Sequence, residues 1–378
     1  MMVSYSLRSS VHRPQHSLLI LAPSRPTSPF FVRLRLAGWF ALAAACNDPS
    51  EPGEGGDRTF RMGFSPFPPS NNQTLALQAL DLWTTRSDAA ILHLGVPWAG
   101  LLQGFTPDQA LEQNGVGLAN YFRAKGLSLT VMIDVTDGLN RAAEAPELVA
   151  LGRSITEPAV QQLYRAYAIA VAERLRPEFL GLAAETNLIR LAAPGPVYQA
   201  MVTMTNAAAA EVKAAEPTVR VYVSVQVETA WGGLQGTGQF IGVDQDFQDF
   251  PFTELLGLSS YPYLGGWTDP VQLPDNYYTR LRGSRSVPLL VVEGGWASES
   301  APGFTSSPAL QAAYFRRQAE LAEQSGLLRW FQLTFTDLDL AGFPELPPVA
   351  VLFARLGLVD AELRPKPALA VWDSVFAH

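Results

Sequence analysis

Two glutamates stand where an apolar strand has no structural use for a charge. Glu185 closes the run FLGLAA and Glu293 closes PLLVV, and carboxylates are almost never carried into a buried strand unpaired. Two carboxyl groups opposed across a pocket suit glycoside hydrolysis: one donates a proton to the leaving oxygen while the other attacks the anomeric carbon. Their surroundings must then separate the two pKa values. Other polar or aromatic residues fall at the ends of neighbouring apolar runs, among them His93, Asp134, Asp137, Gln226, Glu228, Tyr261, Trp296, Thr336 and Asp337. Each admits a second use. His93 can bind substrate or sit satisfied in the core, and Asp134 and Asp137 can equally cap turns. Tyr261 can donate to the attacking carboxylate or cap the core, and its hydroxyl needs a partner in either case. Trp296 and Trp330 can stack on sugar rings or pack between helix and strand.

Other chemistries find little support. The single cysteine, Cys46, rules out a disulfide framework and a thiolate metal cluster. Of four histidines only His93 lies well inside the chain, so neither a metal centre nor a cofactor is expected. No G-x-S-x-G occurs. The three lysines (Lys125, Lys213, Lys366) fall at no strand end, which excludes a Schiff-base enzyme and weakens a phosphate site at Gly294-Gly295. The formal charge is −8, but five arginines precede residue 47 without a single acid, leaving 22 bases against 35 acids beyond it. A nucleic-acid partner needs the opposite balance.

Positioning such residues requires a large core, and the composition of 48% hydrophobic and 16% charged residues in 378 supplies one. Eight apolar runs read as strands: 60–64, 89–95, 127–135, 179–185, 219–226, 255–261, 288–294 and 327–335. Helix-like stretches fall between them, such as 72–86, 156–176, 197–215 and 308–325. Near-continuous rather than alternating apolar runs are expected of parallel strands buried on both faces. The pattern predicts a (β/α)8 TIM barrel over residues 59–378, whose reactive groups gather at the C-terminal ends of the strands. An open dinucleotide-binding sheet is not favoured, because neither NGVGLAN nor QGTGQFIG follows a strand and opens a helix.

The combination becomes specific when the motifs are taken together. A glutamate ending strand 4, another ending strand 7 in VVEGGWAS (291–298), SSYPY (259–263) at the end of strand 6 and RPKPALAVW (364–372) near the close resemble the clan A glycoside hydrolases, in particular their β-1,4-galactanase and β-1,3-glucanase families. The resemblance spans residues 60–372. It implies a retaining enzyme, expected to be endo-acting on β-linked glycan, with Glu293 as nucleophile, Glu185 as acid/base holding its proton near neutral pH, and Tyr261 donating to Glu293. Asn187, His93, Trp296, Trp330, Asp134 and Gln226 would bind the oligo- or polysaccharide substrate. The clan usually carries asparagine directly before its acid/base, where this chain has Ala184, with Asn187 two residues beyond the glutamate. Either Asn187 or another group makes that contact, or the sugar differs, or the barrel is a degenerate glycan-binding surface lipoprotein.

Ahead of the barrel, RLRLAGWFALAAAC (33–46) pairs arginines with a short apolar run and small residues before cysteine. It resembles a bacterial lipoprotein signal. Residues 1–46 are then expected to be leader and signal peptide, Cys46 the lipidated residue, and acidic 47–58 a disordered tether. The expected location is extracytoplasmic, with the membrane reached through the lipid anchor alone, or secreted if not lipidated.

Overall fold

The computed structural model describes residues 58–378; Cys46, the leader and most of the tether lie outside them. Eight strands close in sequential order into one barrel, every neighbouring pair parallel. They are β1 (Arg61–Ser65), β2 (Ala89–Gly95), β3 (Ser128–Asp134), β4 (Phe179–Gly181), β5 (Arg220–Gln226), β6 (Leu256–Ser260), β7 (Leu289–Gly294) and β8 (Leu327–Thr334). The crossovers carry α1 (Gln73–Thr84), α2 (Val116–Ala124), α3 (Pro158–Leu175), α4 (Gly195–Ala215), α5 (Asp244–Asp249), α6 (Thr279–Arg282), α7 (Pro308–Ser325) and α8 (Pro367–Phe376), with further short helical turns in the loops. This is the predicted (β/α)8 architecture. Among the described residues no helix is long and apolar enough to cross a membrane.

Local signals fix the longer helices. α7 starts where Ser307 accepts from the Leu310 amide and Pro308 opens the first turn, and it stops at Gly326 in a left-handed conformation. Strand side chains alternate between two cores. Ile91, Met132, Tyr222, Leu290 and Phe331 fill the barrel interior, whereas Leu92, Leu94, Val131, Leu258, Val291 and Trp330 face the helices. The inner group plugs the barrel, so polar residues one step further along the strands emerge at its mouth.

Among the departures from regular pairing, two place the glutamates at that mouth. β4 is only three residues long, although the apolar run predicts seven. Beyond Gly181 the chain keeps single bonds to β5, Leu182 N to Tyr222 O at 2.9 Å and Ser224 N to Ala183 O at 3.0 Å, and then turns at Glu185. The second departure is a bulge in β7. Leu258 pairs with Val291 but the next residue, Ser259, pairs with Glu293. Leu290 and Val292 point inward while Leu289 and Val291 point outward, so strict alternation would send Glu293 to the helices; the extra residue re-aims it into the mouth. Gly294 is required just beyond, since a Cβ there would lie 2.4 Å from Ser260 O.

Candidate active site

Glu185 adopts φ 50° and ψ 45°, a left-handed conformation uncommon outside glycine and costing on the order of 1–3 kcal/mol. The turn swings the chain from β4 into the short helix Thr186–Ala192 and leaves the Glu185 side chain at the mouth. Three neighbours fix it. The Ser224 hydroxyl accepts from its amide at 3.0 Å, Arg141 Nε donates to its Oε2 at 2.7 Å, and Ser259 Oγ lies 2.6 Å from its Oε1. Thr186, the next residue, donates to buried Asp246 at 2.8 Å and Arg190 pairs with the same carboxylate, which anchors the turn to α5.

Ser259 Oγ also lies 2.7 Å from Glu293 Oε1. One hydroxyl therefore spans both glutamates, and the two oxygens it touches are no more than about 5.3 Å apart, closer than the ~6.5–9.5 Å of an inverting carboxyl pair. Glu293 Oε2 faces His93 Nε2 at 3.5 Å, and the other ring nitrogen, Nδ1, is 2.6 Å from Ser65 Oγ. Burial pushes His93 down to about 4 against the pull of Asp134, so the imidazole is neutral under ordinary conditions. Asp134 accepts from Arg141 Nη1 at 2.7 Å through both oxygens. Burial disfavours the charge on Arg141, but Asp134 and Glu185 more than offset this and hold its pKa above the ordinary arginine value.

The carboxyl pushed toward neutrality is Glu293. Burial first and the Glu185 charge second raise it to about 8, against the opposing effects of Arg141 and the Ser259 hydrogen bond. The guanidinium of Arg141 sits against Glu185 rather than Glu293. Tyr261, buried near both glutamates, has its pKa raised by burial and by their charges. Its ring packs against Tyr263 and Phe353, and the hydroxyl that reaches Glu293 is that of Ser259.

The expected sugar contacts divide sharply. His93 and Asp134 are brought to the mouth. Asn187 is not available: its amide donates to Gln226 O at 2.9 Å and accepts from Gln226 N at 2.8 Å, tying the turn after β4 to the end of β5. Gln226 caps the next helical turn by accepting from Thr229 N and donates to buried Glu228. Neither tryptophan offers a ring to a sugar. Trp330 points outward from β8 against Phe315 and Trp372, as its place in the alternation dictates, and Trp296 is buried against Tyr263 and Tyr314 with its Nε1 donating to Ser306. Asp337 forms a buried pair with Lys366 at 2.6 Å, and Asp137 caps a turn by accepting from Leu139 N. The sequence reading missed Arg141 and Ser259. Arg141 sits in a loop with no periodic pattern, but Ser259 lies inside the quoted SSYPY motif.

No family model and no curated protein matches the chain. Solved structures do. An exo-β-1,4-mannosidase from Opitutaceae bacterium strain TAV5 superposes with a TM-score of 0.62 at 17% identity, over 84% of this chain and 59% of its own, so this chain spans less than two thirds of that protein. GH5_18 from Streptomyces cattleya, in complex with GlcNAc, gives 0.58 at 17% identity over 84% and 80%. The GH53 catalytic domain of Ignisphaera aggregans gives 0.53 at 16% identity over 75% and 84%. At identities this low the likeness establishes the fold alone, a (β/α)8 barrel of the kind found in clan A glycoside hydrolases.

Proposed function

We propose that this protein is a retaining glycoside hydrolase that cleaves β-linked glycans by double displacement. The observation that carries the proposal is the pair of glutamates held on one serine hydroxyl at the strand-4 and strand-7 ends of the barrel. Following the clan positions, Glu293 attacks the anomeric carbon while Glu185 protonates the leaving oxygen, forming a glycosyl-enzyme. Glu185, now ionised, takes a proton from water, which displaces Glu293 and restores the original configuration. The mannosidase and the GlcNAc complex among the structural neighbours make β-mannosides and β-linked N-acetylhexosamines the first substrates to try.

The test is a panel of aryl β-glycosides and β-glycans, with the anomer of the first-formed product read by NMR and the product lengths read over time. Retention, with turnover abolished by Glu293→Ala, supports the proposal; an inverted product, or no turnover of any substrate, defeats it. Early release of mixed oligomers would support endo action. A second reading, a barrel that binds glycan without cleaving it, draws on the Arg141–Glu185 ion pair, which already engages the acid/base candidate. Glycan binding without turnover distinguishes it. We also propose that Cys46 carries a lipid anchor on the extracytoplasmic side of the membrane, supported by the 33–46 pattern; unchanged membrane association of Cys46→Ser would remove that claim.

A further inference from the structure

The hydrogen atoms around Ser259 can be counted. Its hydroxyl lies 2.6 Å from one glutamate oxygen and 2.7 Å from the other, and a hydroxyl has one proton to donate. Two ionised carboxylates at those distances would leave one contact without a hydrogen and place two like charges side by side, so the pair holds a proton of its own. Arg141 decides its location: Nε bonds Glu185 at 2.7 Å, while Glu293 has a neutral imidazole at 3.5 Å for its other oxygen.

We propose that Ser259 passes this single proton between Glu293 and Glu185, and that Arg141 is the positioning residue that keeps it on Glu293 in the free enzyme. The proposal rests on the glycosidase function above, because the hand-over matters only where Glu185 must act as an acid. In the hand-over the Glu293 Oε1–H bond breaks as a new Ser259 Oγ–H bond forms, and the original Oγ–H bond breaks as Glu185 Oε1–H forms. The serine is unchanged and one negative charge moves from Glu185 to Glu293. Each glutamate is thereby set for its role, the nucleophile ionised and the acid protonated. The step follows weakening of the Arg141–Glu185 contact when a sugar enters, and Arg141 stays compensated through it because Asp134 holds Nη1 with both oxygens.

The other titratable groups around the pair are His93 on β2, Asp134 and Arg141 on and after β3, Tyr222 on β5 and Tyr261 after β6. Burial disfavours ionisation of both tyrosines and protonation of His93. The shared proton thus stays within the pair, in keeping with the rise of Glu293 to about 8.

The test uses the whole protein labelled with ¹³C at the glutamate side-chain carboxyls, the two signals being assigned with Glu185→Gln and Glu293→Gln. In the wild type the signal that titrates last should be Glu293. Arg141→Gln should transfer that late titration to Glu185, and Arg141→Lys should leave it on Glu293. A wild type in which Glu185 titrates last overturns the proposal, as does an order that Arg141→Gln leaves unmoved. If Arg141→Gln fails to fold, the wild-type and Arg141→Lys orders decide. In kinetics, Ser259→Ala should slow both alkyl and dinitrophenyl glycosides, on the order of 100-fold for the alkyl ones, because a proton left on Glu293 disables the nucleophile as well as the acid, with Ser259→Thr restoring both rates. Unchanged rates on dinitrophenyl glycosides, or no rescue by threonine, overturn the relay. The titration needs no substrate, so a protein without glycosidase turnover would defeat the functional proposal while the proton order was still being read.

Discussion

The ends of strands 4 and 7 present the same side chain to the same hydroxyl, yet the two neighbourhoods differ in almost every other respect. Glu185 is delivered by a left-handed turn and sits against a guanidinium. Glu293 is delivered by a bulge in an otherwise regular strand and faces a neutral imidazole. A guanidinium bonds the first directly, whereas burial raises the second above its ordinary value despite the same positive charge nearby. Identical residues are thereby made chemically unequal by what packs against them.

The strongest way to break this comparison is to remove each glutamate in turn. Glu293→Ala should lower turnover of an activated aryl glycoside by roughly 10⁴-fold or more, since the intermediate can no longer form. Glu185→Ala should cost roughly 10²- to 10⁴-fold with a poor leaving group and much less in the first step with a good one, where an intermediate should accumulate. Added azide should release it as a β-glycosyl azide. A β-azide from the Glu293 variant instead would exchange the two roles, and full activity in either variant would remove the residue from the reaction.

The two tryptophans sharpen the contrast between mouth and wall. Trp330 is fully enclosed by Phe60, Phe315 and Trp372, so Trp330→Ala should destabilise the fold by about 3–5 kcal/mol while leaving KM for the folded fraction unchanged. Denaturant melts and steady-state kinetics at low temperature check both parts. A raised KM at unchanged stability would return Trp330 to the sugar site.

The strand-end glutamates were legible in the sequence because a charge interrupts each apolar run, and the barrel was legible because eight such runs alternate with helix-like stretches. β2 and α7 begin and end as their residue types predict. What the sequence conceals is orientation. Trp330 lies one residue from inward-facing Phe331, and a run apolar throughout does not reveal which of the two faces the helices. The β7 bulge that turns Glu293 inward depends on pairing with β6, a contact some thirty residues away in the chain. Arg141 reaches Glu185 across 44 residues of separation, from a loop whose sequence carries no periodicity. Asn187 shows the converse: its position beside Glu185 suggests a sugar contact, but a buried amide next to unpaired backbone groups of β5 bonds those first.

The smallest effect is on stability, and it separates the two glutamates without any substrate. In the folded protein Glu293 is raised to about 8, against an ordinary value of 4.5. Between those two pH values the unfolded chain has released the proton that the folded chain still holds, so unfolding releases a proton and stability falls as pH rises. Below pH 4.5 both states are protonated and there is no penalty; above pH 8 the penalty is complete. Glu293→Gln keeps the shape and an acceptor for Ser259 but cannot ionise. Its stability relative to the wild type should therefore grow from near zero at pH 4.5 to a gain of order 2 kcal/mol or more at pH 8. Glu185→Gln should behave oppositely, losing stability at neutral pH because Arg141, buried and still charged, is left with Asp134 as its one carboxylate partner. Parallel urea melts of the three proteins across this range decide the matter. A Glu293→Gln gain that does not change with pH would mean that Glu293 titrates normally, and the electrostatic difference between the two strand ends would then have to be abandoned.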